Sequence, residues 1–130
     1  MRQTFKKNER LHLKILIKKL FGEGISFFIP PFRITWLRSD FPSDSPLQLL
    51  ISVPRHNFKN AVDRNLLKRR MRESFRNNKQ DLYQFLLENH MKILVSITYT
   101  SKEILDYRTI REKIIVLLQR LKEENAKTPR

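Results

Sequence analysis

The chain has 130 residues, a length that fits one domain, and its hydrophobic content of 40% is enough for a core. Its 27 Lys and Arg residues against 13 Asp and Glu give a formal net charge of +14, which favours a polyanionic partner such as RNA, DNA or an anionic membrane surface. The absence of cysteine excludes disulfides, thiolate metal sites and a cysteine nucleophile, and it suits a reducing cytoplasm. We expect no signal peptide, no membrane-spanning segment and no Gly-rich phosphate loop.

The predicted elements begin with an amphipathic helix over residues 9–21, capped by Asn8 and ended by Gly22. Residues 26–38 are rich in aromatic and β-branched side chains and predict one or two strands, broken at residues 30–31. The remaining elements are a loop over 39–46, a strand over 47–53, a basic loop over 54–60, a helix over 61–77, a further helical turn or two over 81–89, a strand over 91–99 and a helix over 106–124. This order predicts an α+β fold or α/β sandwich with a single small sheet, and frayed ends at about residues 1–7 and 123–130.

The most informative segment is the helix that begins at Ala61. Its basic row repeats every fourth residue, at Arg64, Lys68, Arg72 and Arg76, with Asn65 and Arg69 beside it. Like charges at this spacing destabilise an isolated helix by a few tenths of a kcal/mol per pair, roughly. A solvated face usually mixes both signs of charge, so this row favours contact with a nucleic acid over a merely solvated surface.

The loop before this helix extends the basic surface. Its Arg55, His56, Lys59 and Asn60 lead directly into the row. Guanidinium groups bind phosphate oxygens with two donors at once, whereas a lysine acts as a point charge. We therefore predict RNA contacts from the following residues: Arg55, His56, Lys59, Asn60, Arg64, Asn65, Lys68, Arg69, Arg72 and Arg76.

A second candidate surface combines the aromatic strand with the first helix. Phe32, Ile34 and Trp36 alternate onto one strand face, and with Ile17 and Phe21 they could form a cleft that stacks on unpaired bases. An ordinary core role is the open alternative for these residues. Among them, Trp36 is the residue most expected to have a polar or stacking role.

No self-contained active site is predicted. The three histidines, His12, His56 and His90, lie in different elements and lack the spacing of a zinc site. No carboxylate pair suits acid–base or two-metal chemistry, and no serine lies in a nucleophile elbow. We expect neither a catalytic residue nor a metal ligand on this chain.

Residues 51–76 resemble the signature region of the bacterial ribonuclease P protein subunit. The matching positions are Ser52, Val53, Ala61, Val62, Arg64, Asn65, Lys68, Arg69, Arg72 and Glu73. The resemblance covers roughly residues 8–121, with Arg10 and Leu11 opening the first helix. The chain departs from the family at Leu66, where a basic residue is common, at residues 54–56, where two lysines are common, and at Ile17, where phenylalanine is common.

The resemblance implies a single RNA-binding domain over residues 1–130, whose sheet contains a left-handed βαβ crossover related to a ribosomal-protein domain. It implies that the basic helix binds the catalytic RNA of ribonuclease P and that the cleft binds the single-stranded 5′ leader of precursor tRNA. The RNA, with bound Mg²⁺, would hydrolyse the phosphodiester bond that releases the leader. The protein would be a cytoplasmic monomer, one per RNA, that improves substrate affinity and metal binding.

Three other functions compete with this one. A structural RNA-binding protein of ribosomal type would share the charge and size but would need no leader cleft. A DNA-binding module is disfavoured because the row has few side chains suited to base edges. A membrane-surface helix is disfavoured because Leu67, Met71 and Phe75 are needed for the core.

Overall fold

The computed structural model describes residues 7–127, which form one four-stranded sheet with helices on both faces. The elements are a short 3₁₀ turn (Lys7–Glu9), α1 (Lys14–Glu23), β1 (Ile25–Ile29), β2 (Phe32–Arg38), β3 (Leu47–Ser52), α2 (Ala61–Asn78), α3 (Gln80–Glu88), β4 (Ile93–Tyr99) and α4 (Tyr107–Lys127). The strand order is β1-β2-β4-β3, and only the β3–β4 pair is parallel. The predicted α+β class is confirmed, and α2 with α3 makes the crossover that two neighbouring parallel strands require.

The main core lies between one face of the sheet and helices α2 and α4. Strand β2 contributes Phe32, Ile34 and Trp36 to this face, opposite Tyr99, Ile97 and Val95 of β4. The other face is covered in part by α1, where Leu20 packs with Leu94 in a second, smaller cluster. Both faces of the sheet therefore carry buried apolar side chains, which explains why β4 is apolar along most of its length.

The first helix begins later than the sequence predicts. Residues 10 and 11 run beside β3, where Arg10 pairs with Leu49 and the Leu11 N–H donates to the Leu49 carbonyl over 2.9 Å. Asn8 is therefore not the cap of α1, which begins at Lys14 and continues through Gly22. A backbone hydrogen bond to a distant strand and burial of Leu11 outweigh the local preference for helix in this segment.

The chain also remains ordered further toward its C-terminus than predicted. Helix α4 continues to Lys127, and Asn125 is fully buried, with its Nδ2 donating to the Leu121 carbonyl and its Oδ1 accepting from Arg38 Nη2. The predicted fraying from residue 123 is therefore wrong up to residue 127. At the other end, Lys7 was predicted to be frayed but begins the 3₁₀ turn, and the rest of the prediction, residues 1–6 and 128–130, lies outside the described residues.

Gly24 lets α1 approach the sheet closely. A Cβ atom at this position would lie 2.4 Å from the Leu20 carbonyl oxygen and 2.8 Å from Thr35 Cγ2. Because backbone cannot move aside as a flexible side chain can, only glycine fits between α1 and β2 here. Among residues 7–127, no helix is both long enough and apolar enough to cross a membrane.

Candidate nucleic-acid interface

Helix α2 carries its basic row beside the residues that close the core, so that the row is partly exposed to solvent. Leu67, Met71 and Phe75 are fully buried, which fixes the rotation of the helix about its axis. Arg69 and Arg72 are exposed as a result. Lys68 and the two ends of the row, Arg64 and Arg76, are half-buried, and Asn65 is exposed. The structure thus brings the predicted residues of α2 together on one side of one helix.

The basic loop is tied to the first turn of α2 by two kinds of contact. Asn60 is the N-cap, and its Oδ1 accepts a hydrogen bond from the Val62 N–H over 2.9 Å. Arg64 Nη1 donates to the carbonyls of Phe58 and Lys59, over 2.7 and 2.9 Å. These bonds fix residues 58–60 relative to the helix, and the basic side chains of the loop, Arg55, His56 and Lys59, are exposed.

The charges on this surface repel one another. Burial lowers the pKa of Arg72 from its ordinary value, and the positive charges of Arg10 and Arg69 lower it further. Arginine nevertheless remains protonated in proteins, so the repulsion acts between charged groups. A nearby acid, Glu73, forms an ion pair of 2.5 Å with Arg76 at the end of the row.

The three β2 residues that were predicted to line an aromatic cleft belong to the core instead. Phe32 and Ile34 are fully buried and Trp36 is 3% exposed, all in the main core on the side of the sheet away from α1. They cannot share a cleft with Ile17 and Phe21, so this part of the prediction is wrong and the alternative, ordinary core, holds. The expected polar role of Trp36 is present, because its Nε1 donates to Glu124 Oε2 over 2.9 Å.

The α1 side of the sheet carries a different, more polar surface. Strand register aligns Ser52, Thr98, Arg33 and Phe28 in one row across all four strands on this face. None of the four is buried, and Phe28 is 56% exposed. The row forms, with the neighbouring side of α1, a surface that we call the open sheet face.

Helix α1 contributes the other wall of the open sheet face. Ile17 is half-buried and packs in the same cluster as Leu50, which is one row away from Ser52 on β3. Phe21, one turn further along α1, is 56% exposed. The alternation of polar and apolar residues in β2 could have predicted this surface, because Arg33 and Thr35 must point away from the face that carries Phe32, Ile34 and Trp36.

The chemistry available on these surfaces is binding. Within residues 7–127, no three side chains of His, Cys, Asp or Glu approach closely enough to hold a metal ion together. The ionic contact between Lys79 and Glu9, at 2.6 Å, is buried and belongs to the scaffold. What the geometry offers is an extended array of guanidinium and ammonium donors, suited to a polyanion.

Comparison with known proteins shows the family to which this chain is related. The family model for ribonuclease P matches residues 5–122. This chain belongs to the ribonuclease P protein family. The ribonuclease P protein component of Porphyromonas gingivalis is 35% identical over 104 residues, which cover 80% of this chain and 76% of that protein. The component of Chlorobium phaeobacteroides is 32% identical over 129 residues, covering 92% of this chain and 88% of that protein.

A solved structure agrees with the family assignment. The ribonuclease P protein from Thermotoga maritima superposes with a TM-score of 0.67 at 29% identity, covering 86% of this chain and 96% of that one. A ribonuclease P protein is a subunit of an endoribonuclease complex, which accounts for an extended binding surface in the chain itself.

Proposed function

We propose that this chain is the protein subunit of ribonuclease P, which binds the catalytic RNA of the enzyme through α2 and the basic loop. The observation that carries the proposal is the basic row of α2, in which Arg72 is exposed and the other members are half-buried. The row lies about 100° around the helix from the buried Leu67, Met71 and Phe75. The helix has 18 residues, and the row from Arg64 to Arg76 is about 18 Å long at the usual rise per residue. That length covers several phosphates, and each one neutralised adds somewhat under one unit to the salt dependence of binding, roughly.

The 5′ leader of precursor tRNA binds, in this proposal, on the open sheet face. Phe21 and Phe28 supply exposed rings on which unpaired bases can stack, and Arg33 supplies a cation for the leader backbone. We keep Ile17 in the proposed leader surface, because it is half-buried on α1 beside the open sheet face. The composition of the cleft therefore differs from the predicted one, while its location beside α1 is retained.

Removal of the leader is an RNA-catalysed hydrolysis in this proposal. The RNA and its Mg²⁺ ions supply the chemistry, and no step depends on a metal held by residues of this chain. The protein raises substrate affinity and favours metal binding by the RNA, because it neutralises phosphates and holds the leader. We further propose one monomeric protein per RNA, acting in the cytoplasm on precursor tRNA.

Lys68→Ala tests the role of the basic row. Lys68 lies in the middle of the row and makes no capping contact, so its removal should leave the fold intact. Affinity for ribonuclease P RNA should fall, and the slope of log affinity against log salt should become shallower by about one unit. Filter binding at several salt concentrations measures both quantities.

Lys113→Ala is the matched control for this experiment. Lys113 is exposed on α4, two helical turns before Arg120 and on the same side of that helix. The guanidinium of Arg120 lies 4.8 Å from the ring of Phe27 in β1, so this side of α4 faces β1. The control variant loses the same charge at a site away from the row. Equal losses of affinity in the two variants would contradict a specific role for the row, and loss of folding in Lys68→Ala would make the row structural.

A further inference from the structure

The N-terminal segment, residues 7–11, places one more arginine on the α2 side of the sheet. Arg10 lies opposite Leu49 in a parallel bridge, and paired residues point to the same face. Leu49 belongs to the main core beneath α2, whereas the next residue, Leu11, is buried in the small cluster beneath α1. This alternation directs Arg10 toward α2, and its side chain is exposed there.

A buried ionic contact holds the segment in this register. Glu9 and Lys79 are each 4% exposed, and Glu9 Oε2 lies 2.6 Å from Lys79 Nζ. The same oxygen accepts a hydrogen bond from the Tyr83 hydroxyl over 2.5 Å. Lys79 directly follows α2 and Tyr83 lies in α3, so the residue before Arg10 is anchored at the C-terminal end of the basic helix.

The direction of Arg10 and the anchor at Glu9 place Arg10 beside the C-terminal half of α2, which carries Arg69 and Arg72. The charges that act on Arg72 are those of Arg10 and Arg69, which lie close enough to lower its pKa beyond the effect of burial. Converging arginines are the arrangement that binds phosphate oxygens with several forked donors.

We propose that Arg10, Arg69 and Arg72 form a composite phosphate-binding site, which makes the N-terminal segment part of the RNA interface. The ligand is a backbone phosphate of the RNA bound by α2. This inference rests on the proposed function for the identity of that RNA. The position of Arg10 follows from the strand register and from the contacts of Glu9. Both residues lie outside the signature region, residues 51–76.

Arg10→Gln tests the site in the intact chain. We expect a 3- to 10-fold loss of affinity for ribonuclease P RNA and a salt slope shallower by about one unit. Lys113→Gln, with the same change of charge away from the site, should change affinity less than 2-fold, roughly. Wild-type affinity and slope in Arg10→Gln would overturn the proposal, as would an equal loss in both variants.

Arg10→Lys separates binding from folding. It keeps the charge and the aliphatic stem but removes the forked donors, so the salt slope should stay at the wild-type value while affinity falls. If Arg10→Gln loses thermal stability, Arg10→Lys carries the test alone. Unchanged affinity in a folded Arg10→Lys protein would then overturn the forked site.

Inorganic pyrophosphate provides an arm of the test that does not involve the RNA. The wild-type protein should show a larger rise in Tm with added pyrophosphate than Arg10→Gln, because a ligand that binds the native state stabilises it. An equal rise would overturn the composite site. If wild-type protein fails to bind ribonuclease P RNA while the pyrophosphate difference persists, the proposed function fails and the phosphate site stands.

Discussion

Trp36 lies in a sequence pattern that has two structural interpretations. Its alternation with Phe32 and Ile34 fits both a base-stacking cleft and a core strand. Burial of the indole ring and the hydrogen bond from its Nε1 to Glu124 identify the core role. On the neighbouring strand β1, the ring of Phe28 is exposed, and it lies on the face of the sheet opposite to Trp36.

Trp36→Ala and Phe28→Ala should therefore have opposite effects. Removing the buried indole should lower the free energy of unfolding by about 3–5 kcal/mol, whereas removing the exposed ring should cost less than about 1 kcal/mol. Urea unfolding measures this difference. Phe28→Ala should instead weaken binding of precursor tRNA relative to leaderless tRNA. If Trp36→Ala is as stable as the wild type and loses leader binding, the assignment of the two faces is reversed.

At the scale of elements, α2 combines a capped start with a basic exposed side. Its predicted and observed starts agree at Ala61, because its apolar period is strong, and the structure shows that Asn60 caps this start. Asn60 was predicted as an RNA contact, and the structure gives it the cap in addition. The two roles can be separated by substitution.

Asn60→Ala should lower the free energy of unfolding by about 1 kcal/mol, because the Val62 N–H loses its acceptor. Asn60→Asp keeps an acceptor and suits the helix N-terminus, so its stability should equal that of the wild type. If Asn60 also contacts RNA, the added negative charge should weaken binding without loss of stability. Thermal unfolding and RNA titration of both variants distinguish these effects, and RNA affinity equal to the wild type in Asn60→Asp would restrict the residue to capping.

The junction of the N-terminal segment with α3 should respond to alkaline pH. Burial raises the pKa of the Tyr83 hydroxyl above its ordinary value of 10.0, and the hydrogen bond and charge of Glu9 raise it further. The folded chain therefore keeps a proton that the unfolded chain releases above that pH. This contribution to stability is complete below pH 10 and falls as the pH rises further, by about 1.4 kcal/mol per unit. Tyr83→Phe should remove that dependence in urea unfolding between pH 9 and 11, and an unchanged slope would contradict the raised pKa.

The elements that the sequence predicted well are those defined by local signals. Helix α2 and strands β3 and β4 were placed within two residues of their observed bounds, because capping and apolar periods are local. The first helix was placed five residues too early, since the contacts of Glu9 and Leu11 join residues far apart in sequence. The role of Arg10 escaped notice for the same reason, because its neighbours lie on another element.

At the scale of the whole molecule, the sheet separates the basic row of α2 from the open sheet face. Helices α2 and α4 cover one face, so the basic row lies above the main core. Helix α1 covers the other face only in part and leaves the open sheet face beside Phe21. A net charge of +14 favours a polyanionic partner, and under the proposed function the catalytic RNA and the leader would bind on opposite faces of the sheet.

Cleavage of a 5′-extended precursor tRNA by bacterial ribonuclease P RNA at low Mg²⁺, with and without this chain, is the most direct measurement of the proposed function. We expect strong stimulation of leader removal by the wild-type protein and no cleavage by the protein alone. Tight, salt-sensitive RNA binding without stimulation would contradict a role in leader removal and would favour a structural RNA-binding protein instead.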